Sequence, residues 1–193
     1  MSPVGASPRY TSAKAAPLPA ICPFRRTTAT YNDAMQQELA PMSSPLILRR
    51  ADTADAGVVA EFNQAMAWET ERKQLNPAVA QAGVLAVINE PRRGFYLVAE
   101  RDGQVVGGLM ITYEWSDWRN ADFWWIQSVY VRPDARRQGV YGALYREIET
   151  RAQAAGACGI RLYVENDNEV AMRTYAALGM VDAHYRVMER SFR

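Results

Sequence analysis

The residues best suited to chemistry fall in one run, Val129-Tyr-Val-Arg-Pro-Asp-Ala-Arg-Arg-Gln-Gly-Val-Tyr-Gly-Ala-Leu144. An apolar strand passes through Pro133 into a loop of arginine and glycine, and then into a helix. Such an entry is an anion site by construction. The N–H groups of the first helical turn carry partial positive charge, Gly139 and Gly142 leave the backbone open to a phosphate oxygen, and Arg136 and Arg137 supply countercharge. The spacing matches neither GxGxxG nor GxxxxGK(S/T), so a dinucleotide or nucleoside triphosphate is a poor fit. A second segment, Asn168 to Met180, puts Ala171, Tyr175 and Leu178 on one helix face, where the Tyr175 hydroxyl is the only polar group. By spacing alone, Tyr175 suits a core position with a satisfied hydroxyl, and Asn168 suits a helix N-cap as well as a ligand contact.

The remaining composition narrows the chemistry by exclusion. A single histidine, His184, removes mechanisms that need a histidine pair and leaves Ser-His-Asp or Cys-His arrangements improbable. Cys22 and Cys158 form neither a CxxC pair nor a disulfide framework, which excludes structural zinc, gives no metal site and suits a reducing or redox-indifferent compartment, here the cytoplasm. With 22 basic and 21 acidic residues in 193, the net charge is +1. No clustered basic excess offers a footprint for nucleic acid or an anionic membrane surface, and no apolar run reaches the ~18 residues of a membrane span. What remains is chemistry done by backbone, carboxylates and tyrosines.

The elements that must position these groups begin after a change of composition near residue 45. Seven of the ten prolines precede it, with no acid before Asp33, so residues 1–45 read as a poorly ordered tail. Their sparse acids resemble a transit peptide in composition, but no amphipathic arginine periodicity or secretory apolar region supports one. Residues 46–193 suffice for one domain with one core. Leu46 to Leu48 form a strand, Asp52 and Thr53 cap a helix carrying Val58, Val59, Phe62 and Met66, and a second helix covers about 77–89. The period then changes. Strands at 95–100 and 105–113 flank Asp102-Gly103 as a two-residue turn, and a third covers 123–131 after a polar loop. A helix over 139–155, a strand at 160–164, a helix over 169–178 ended by Gly179, and a final strand near 185–189 complete the chain. The expected class is mixed α/β: an antiparallel meander joined to a βαβ unit, with helices on both faces of the sheet.

Arg136-Arg137-Gln138-Gly139-Val140-Tyr141 resembles the R/Q-x-x-G-x-G/A coenzyme A loop of the GNAT N-acetyltransferase superfamily. The Asn168 to Met180 segment is similar to the N-x-x-A-x-x-x-Y-x-x-x-G-(F/M) stretch that follows it there, and the order of elements agrees from Leu46 to the end of the chain. The resemblance implies an acetyl-CoA-dependent N-acetyltransferase acting on a small-molecule or peptide amine by direct attack on the thioester. By analogy it also admits a homodimer. It assigns coenzyme A contacts to Val129, Tyr130, Val131, Arg136, Arg137, Gln138, Gly139, Val140, Tyr141, Gly142 and Asn168, with oxyanion stabilisation by backbone N–H groups of 129–131. It also makes Tyr175 the acid that protonates the departing thiolate, a proton transfer for which a phenol and a thiol, with ordinary pKa values near 10 and 8.5, are suited.

Two positions depart from the pattern. Tyr141 stands where the loop usually ends in a small residue, with Gly142 displaced by one place, and Gln127 stands where many members carry a glutamate base. An amide accepts no proton, so the amine must lose its own to another group. The candidates are Glu114, Asp117, Asp122, Glu69 and Glu71, with Glu114 first because a strand holds its side chain more precisely than a loop. Glu114, Trp115, Asp117 and Trp118, with Trp124 and Trp125, would suit a cationic amine or an aromatic minicore. Cys158, with no histidine near it in sequence, is a poor acyl carrier. Gln127 and Tyr141 also motivate a competing expectation, a non-catalytic acyl-CoA-binding or regulatory domain.

Overall fold

The computed structural model describes residues 44–192; all but the last two residues of the expected tail lie outside that range. Strand β1 (Ile47–Arg50) leads into a 3-10 turn at Thr53–Asp55 and helix α1 (Ala56–Glu71), which Arg72 ends in the left-handed conformation. Helix α2 (Pro77–Asn89) starts where Asn76 accepts the N–H groups of Ala78 and Val79 and Pro77 fills the first helical position, which needs no donor. Strands β2 (Phe95–Arg101), β3 (Gln104–Ser116) and β4 (Ala121–Val131) form the meander. Helix α3 (Val140–Ala154), strand β5 (Gly159–Leu162) and helix α4 (Glu169–Ala177) complete the described elements.

The sheet runs in the order β1-β2-β3-β4-β5, antiparallel except for the parallel pair β4 and β5. At the β2–β3 turn Asp102 and Gly103 have φ of 53° and 72°, the mirror-image turn that matches strand twist. Alternation along the strands divides the core. Leu97, Leu109, Ile111 and Ile126 meet Val140, Leu144 and Ile148 of α3 on one face, while Tyr96 and Val98 meet Val59, Ala60, Val84 and Val87 of α1 and α2 on the other. Helices therefore cover both faces, and the GNAT arrangement of a meander joined to a βαβ unit is present. Leu144 and Ile148 are fully buried, worth about 1.5–3 kcal/mol each against exposure. Gly94 enters β2 at φ 136°, where an added Cβ would lie 1.8 Å from the Ile111 carbonyl oxygen.

Two expectations are corrected. The polar loop before the third meander strand is mostly strand, because β3 and β4 stay paired out to Ser116 and Ala121 before turning. The strand expected at 185–189 is absent: no strand is present in 181–192, where Tyr185 is 80% and Met188 90% exposed. Just upstream, the Asp182 carboxylate takes the His184 N–H at 2.7 Å and His184 adopts φ 59°. That local turn bends the chain, and the apolar alternation beyond it pairs with no described strand.

Among the described residues, no helix is long and apolar enough to cross a membrane, and no three His, Cys, Asp or Glu side chains converge as a metal site.

Candidate active site

The site begins with a defect in the sheet. On one side β4 pairs with β3 along its length, but on the other it pairs with β5 only from Phe123 to Ile126. A bulge at Gln127, between the pairs Ile111–Ile126 and Met110–Ser128, shifts the register there. Beyond it the parallel strands part, and the backbone of residues 127–131 faces a gap with no strand across it.

The arginine and glycine loop lies at this gap. Arg137 and Gly139 both have positive φ, 60° and 77°, an alternation that turns successive N–H groups into one concavity. No side chain caps α3 at Gly139, the first helical bond is Ala143 N–H to the Gly139 carbonyl at 3.0 Å, and a Cβ built on Gly139 would meet nothing within 4 Å. The first-turn donors thus face open space, and Arg137 makes no hydrogen bond or ion pair with any described residue.

Other loop residues are already engaged. Arg136 donates through Nη2 to the Glu69 oxygens of α1 at 2.7 and 3.0 Å and through Nε to the Val131 carbonyl at 2.9 Å. The Tyr130 hydroxyl donates to the same carboxylate at 2.9 Å. Gln138 accepts from Arg101 and donates to the Asp134 carbonyl at 2.7 Å, bracing the loop from within. Tyr141 folds inward. Its ring meets Tyr175 edge-on at 5.8 Å and Tyr145 at 6.2 Å, and its hydroxyl is buried without a partner, as is Arg101 Nε. Tyr175 stands on α4, whose start Asn168 caps by accepting the Ala171 N–H at 3.0 Å. Burial pushes both phenols above their ordinary value, Tyr141 far above.

On the opposite face a cavity of about 430 Å³ opens between α1, α2 and the sheet, and reaches Gln127 and Ser128 at the bulge. Of the carboxylate candidates, Glu71 lines it. Glu114 lies on exposed sheet surface, with one oxygen accepting from the Trp125 indole and the other from Arg161 at 3.0 Å, while Arg161 stacks on Phe123 at 3.6 Å. Asp117 accepts the Trp118 N–H at 2.8 Å in the turn beyond β3. Gln127 donates to Thr112 Oγ1 at 2.7 Å. The clasp of Glu69 with Arg136 and Tyr130 was invisible to local pattern, since its partners are 61 and 67 residues apart. Opposite charge at two candidate positions was its only advance sign.

Fold and loop geometry together define a mixed α/β domain in which an uncapped helix start lies beside an opened parallel strand pair. The model of the Acetyltransferase (GNAT) family matches residues 58–180, and the chain belongs to that family. A solved structure of a possible acetyltransferase from Clostridium difficile 630 is 40% identical, with a TM-score of 0.73, 77% of this chain and 98% of that chain covered. A mycothiol acetyltransferase from Sanguibacter keddieii is 31% identical over 164 residues, covering 83% of this chain and 50% of its own length. An aminoglycoside N-acetyltransferase in complex with CoA, 14% identical with a TM-score of 0.66, covers 80% of this chain and 100% of its own and shares the fold. The chain spans about half the length of the curated relatives it matches.

Proposed function

We propose that this chain transfers an acetyl group from acetyl-CoA to a primary amine of a small molecule or peptide. The observation that carries this reading is the gap beside residues 127–131, entered on one side from the uncapped start of α3 and on the other from the cavity under α1 and α2. The residues present fit the cofactor. The cradle at Gly139 is open, Arg137 is uncompensated, and the Tyr141 hydroxyl is a buried donor that waits for an acceptor. An orphaned hydroxyl costs about 1–3 kcal/mol, so phenylalanine would serve better at position 141 unless a ligand meets the oxygen.

Acetyl-CoA supplies the acetyl group, activated as a thioester. Arg137 and the N–H groups of 138–142 hold its diphosphate, the freed β4 backbone at 129–131 orients the arm and donates to the carbonyl oxygen, and Tyr141 Oη donates to an acceptor on the arm. Tyr175 Oη gives its proton to the departing sulfur, a task its raised pKa suits because the phenol stays protonated throughout the working range. Gln127 accepts no proton, and Glu114 lies on exposed sheet surface outside the cavity lining, so the proton of the ammonium goes to Glu71, the candidate carboxylate in that lining. Asn168 acts through the cap that places α4.

A thermal shift with acetyl-CoA that ADP does not reproduce, together with thiol release dependent on an amine, tests this function; equal shifts with both would end it. The non-catalytic alternative rests on Gln127 and Tyr141, and the inward fold of Tyr141 keeps that ring out of the phosphate cradle, which removes half its basis. Free Cys158 supports a cytoplasmic setting. The open outer edge of β5 supports the homodimer admitted by analogy, which sedimentation at micromolar concentration tests.

A further inference from the structure

The acceptor cavity carries a more specific message, which rests on the acetyltransfer reading. Its volume of about 430 Å³ is at the low end of small-molecule sites, ~300–1,000 Å³. Most of its walls are apolar: Met66 from α1, Leu75 from the connecting loop, Val79, Val84 and Val87 from α2, and Met110 from β3. Only two charged side chains line it, the carboxylate of Glu71 and the ammonium of Lys73, so the lining has no net charge.

A polyamine or an aminoglycoside would find one countercharge and one like charge. Each further ammonium would lose its water against valine and methionine without a partner. A sugar's hydroxyls would find only a few uncharged polar side chains, Asn63, Tyr96, Gln127 and Ser128, in a lining that is otherwise mostly apolar. The complementary ligand has one amine, one carboxylate and an apolar body. Glu71 ends α1 and Lys73 follows its left-handed cap Arg72, so the two opposite charges of the lining come from one helix end. We propose that the acceptor is a free α-amino acid with an aliphatic or aromatic side chain, its ammonium facing Glu71, its carboxylate facing Lys73 and its side chain held between α1 and α2.

The test uses the full chain with acetyl-CoA and four acceptors: L-phenylalanine, phenethylamine, spermidine and kanamycin. Phenylalanine should exceed spermidine and kanamycin in kcat/KM by roughly tenfold or more. Lys73→Met should lower kcat/KM for phenylalanine about fivefold while leaving phenethylamine within about twofold, because only the former carries a carboxylate. Gly83→Leu fills the cavity from α2, where a Cβ meets nothing within 4 Å, and should raise KM for phenylalanine without changing acetyl-CoA affinity.

Turnover favouring spermidine or kanamycin overturns the proposal, as does an equal effect of Lys73→Met on phenylalanine and phenethylamine, or an acetyl-CoA thermal shift with no turnover of phenylalanine. Loss of that thermal shift in the unaltered chain is a different failure. It removes the acetyltransfer reading itself.

Discussion

Two phenols meet where the sheet opens, and they should respond differently to loss of a single oxygen. Tyr175→Phe removes the proposed proton donor, so kcat should fall by about 10²–10⁴ while the acetyl-CoA thermal shift persists; steady-state and binding measurements on one preparation separate the two effects. Burial holds the Tyr175 phenol above its ordinary value of 10, so it stays protonated as pH rises and its donor function is lost only beyond that value. The rate profile should therefore climb as the acceptor amine deprotonates and show no alkaline fall before pH 10; a downturn well below it would assign the proton to another group. Tyr141→Phe deletes a buried hydroxyl with no partner in the free protein. Its melting temperature should hold or rise, while acetyl-CoA affinity falls about five- to tenfold, the ~1–1.5 kcal/mol of one neutral hydrogen bond. Calorimetry reads both. At the proposed base, Glu71→Gln should depress kcat/KM at neutral pH and Glu114→Gln should not, since Glu71 lines the cavity and Glu114 lies outside it.

At the scale of elements, the entry to the domain is tied by one carboxylate. Asp55, 5% exposed, receives Nη1 and Nη2 of Arg49 at 2.7 and 2.9 Å and the Asp52 N–H at 2.8 Å, while Arg49 Nε reaches Glu100 of β2. The Arg49 hydrogen bonds hold the Asp55 pKa below the ordinary carboxylate value. Stability from this group is present above about pH 4 and lost as pH falls through the folded-state value. Asp55→Asn should cost about 2 kcal/mol at neutral pH and flatten the acid limb of the stability curve, as measured by urea unfolding. Gly94→Ala should cost about 3 kcal/mol or more, because β2 cannot keep its place beside Ile111. Local chemistry made most elements legible: Asp102-Gly103 announced its turn, Asn76-Pro77 its helix start, and Val140, Leu144 and Ile148 the buried face of α3. What stayed hidden depended on distant partners. Strand pairing past Tyr113 needs the facing run 121–123, the clasp on Arg136 needs α1, and the inward turn of Tyr141 needs the ring of Tyr175.

At the scale of the molecule, the two halves of the site belong to different parts of the chain. The proposed phosphate cradle comes from the loop into α3, and the proposed acceptor cavity from α1, α2 and the sheet. Gln127, at the bulge, is where they adjoin. This division makes them separable by mutation: Gly139→Trp, strained at φ 77° and filling the cradle, should abolish acetyl-CoA binding and leave the acceptor walls intact, which calorimetry and near-ultraviolet circular dichroism report separately. The Glu69–Arg136 pair spans the two halves, and with its side chains 41% and 42% exposed it is worth only about 0–1 kcal/mol. If a bound diphosphate draws that guanidinium away, the Tyr130 hydroxyl still holds Glu69 and the packing of α1 on the sheet is intact. The clasp therefore couples the two halves only weakly: cutting it should move acetyl-CoA affinity and acceptor KM by no more than about fivefold each. Calorimetry and initial rates on Glu69→Gln read both, and a larger change in either would mean that the pair carries more than its exposure allows.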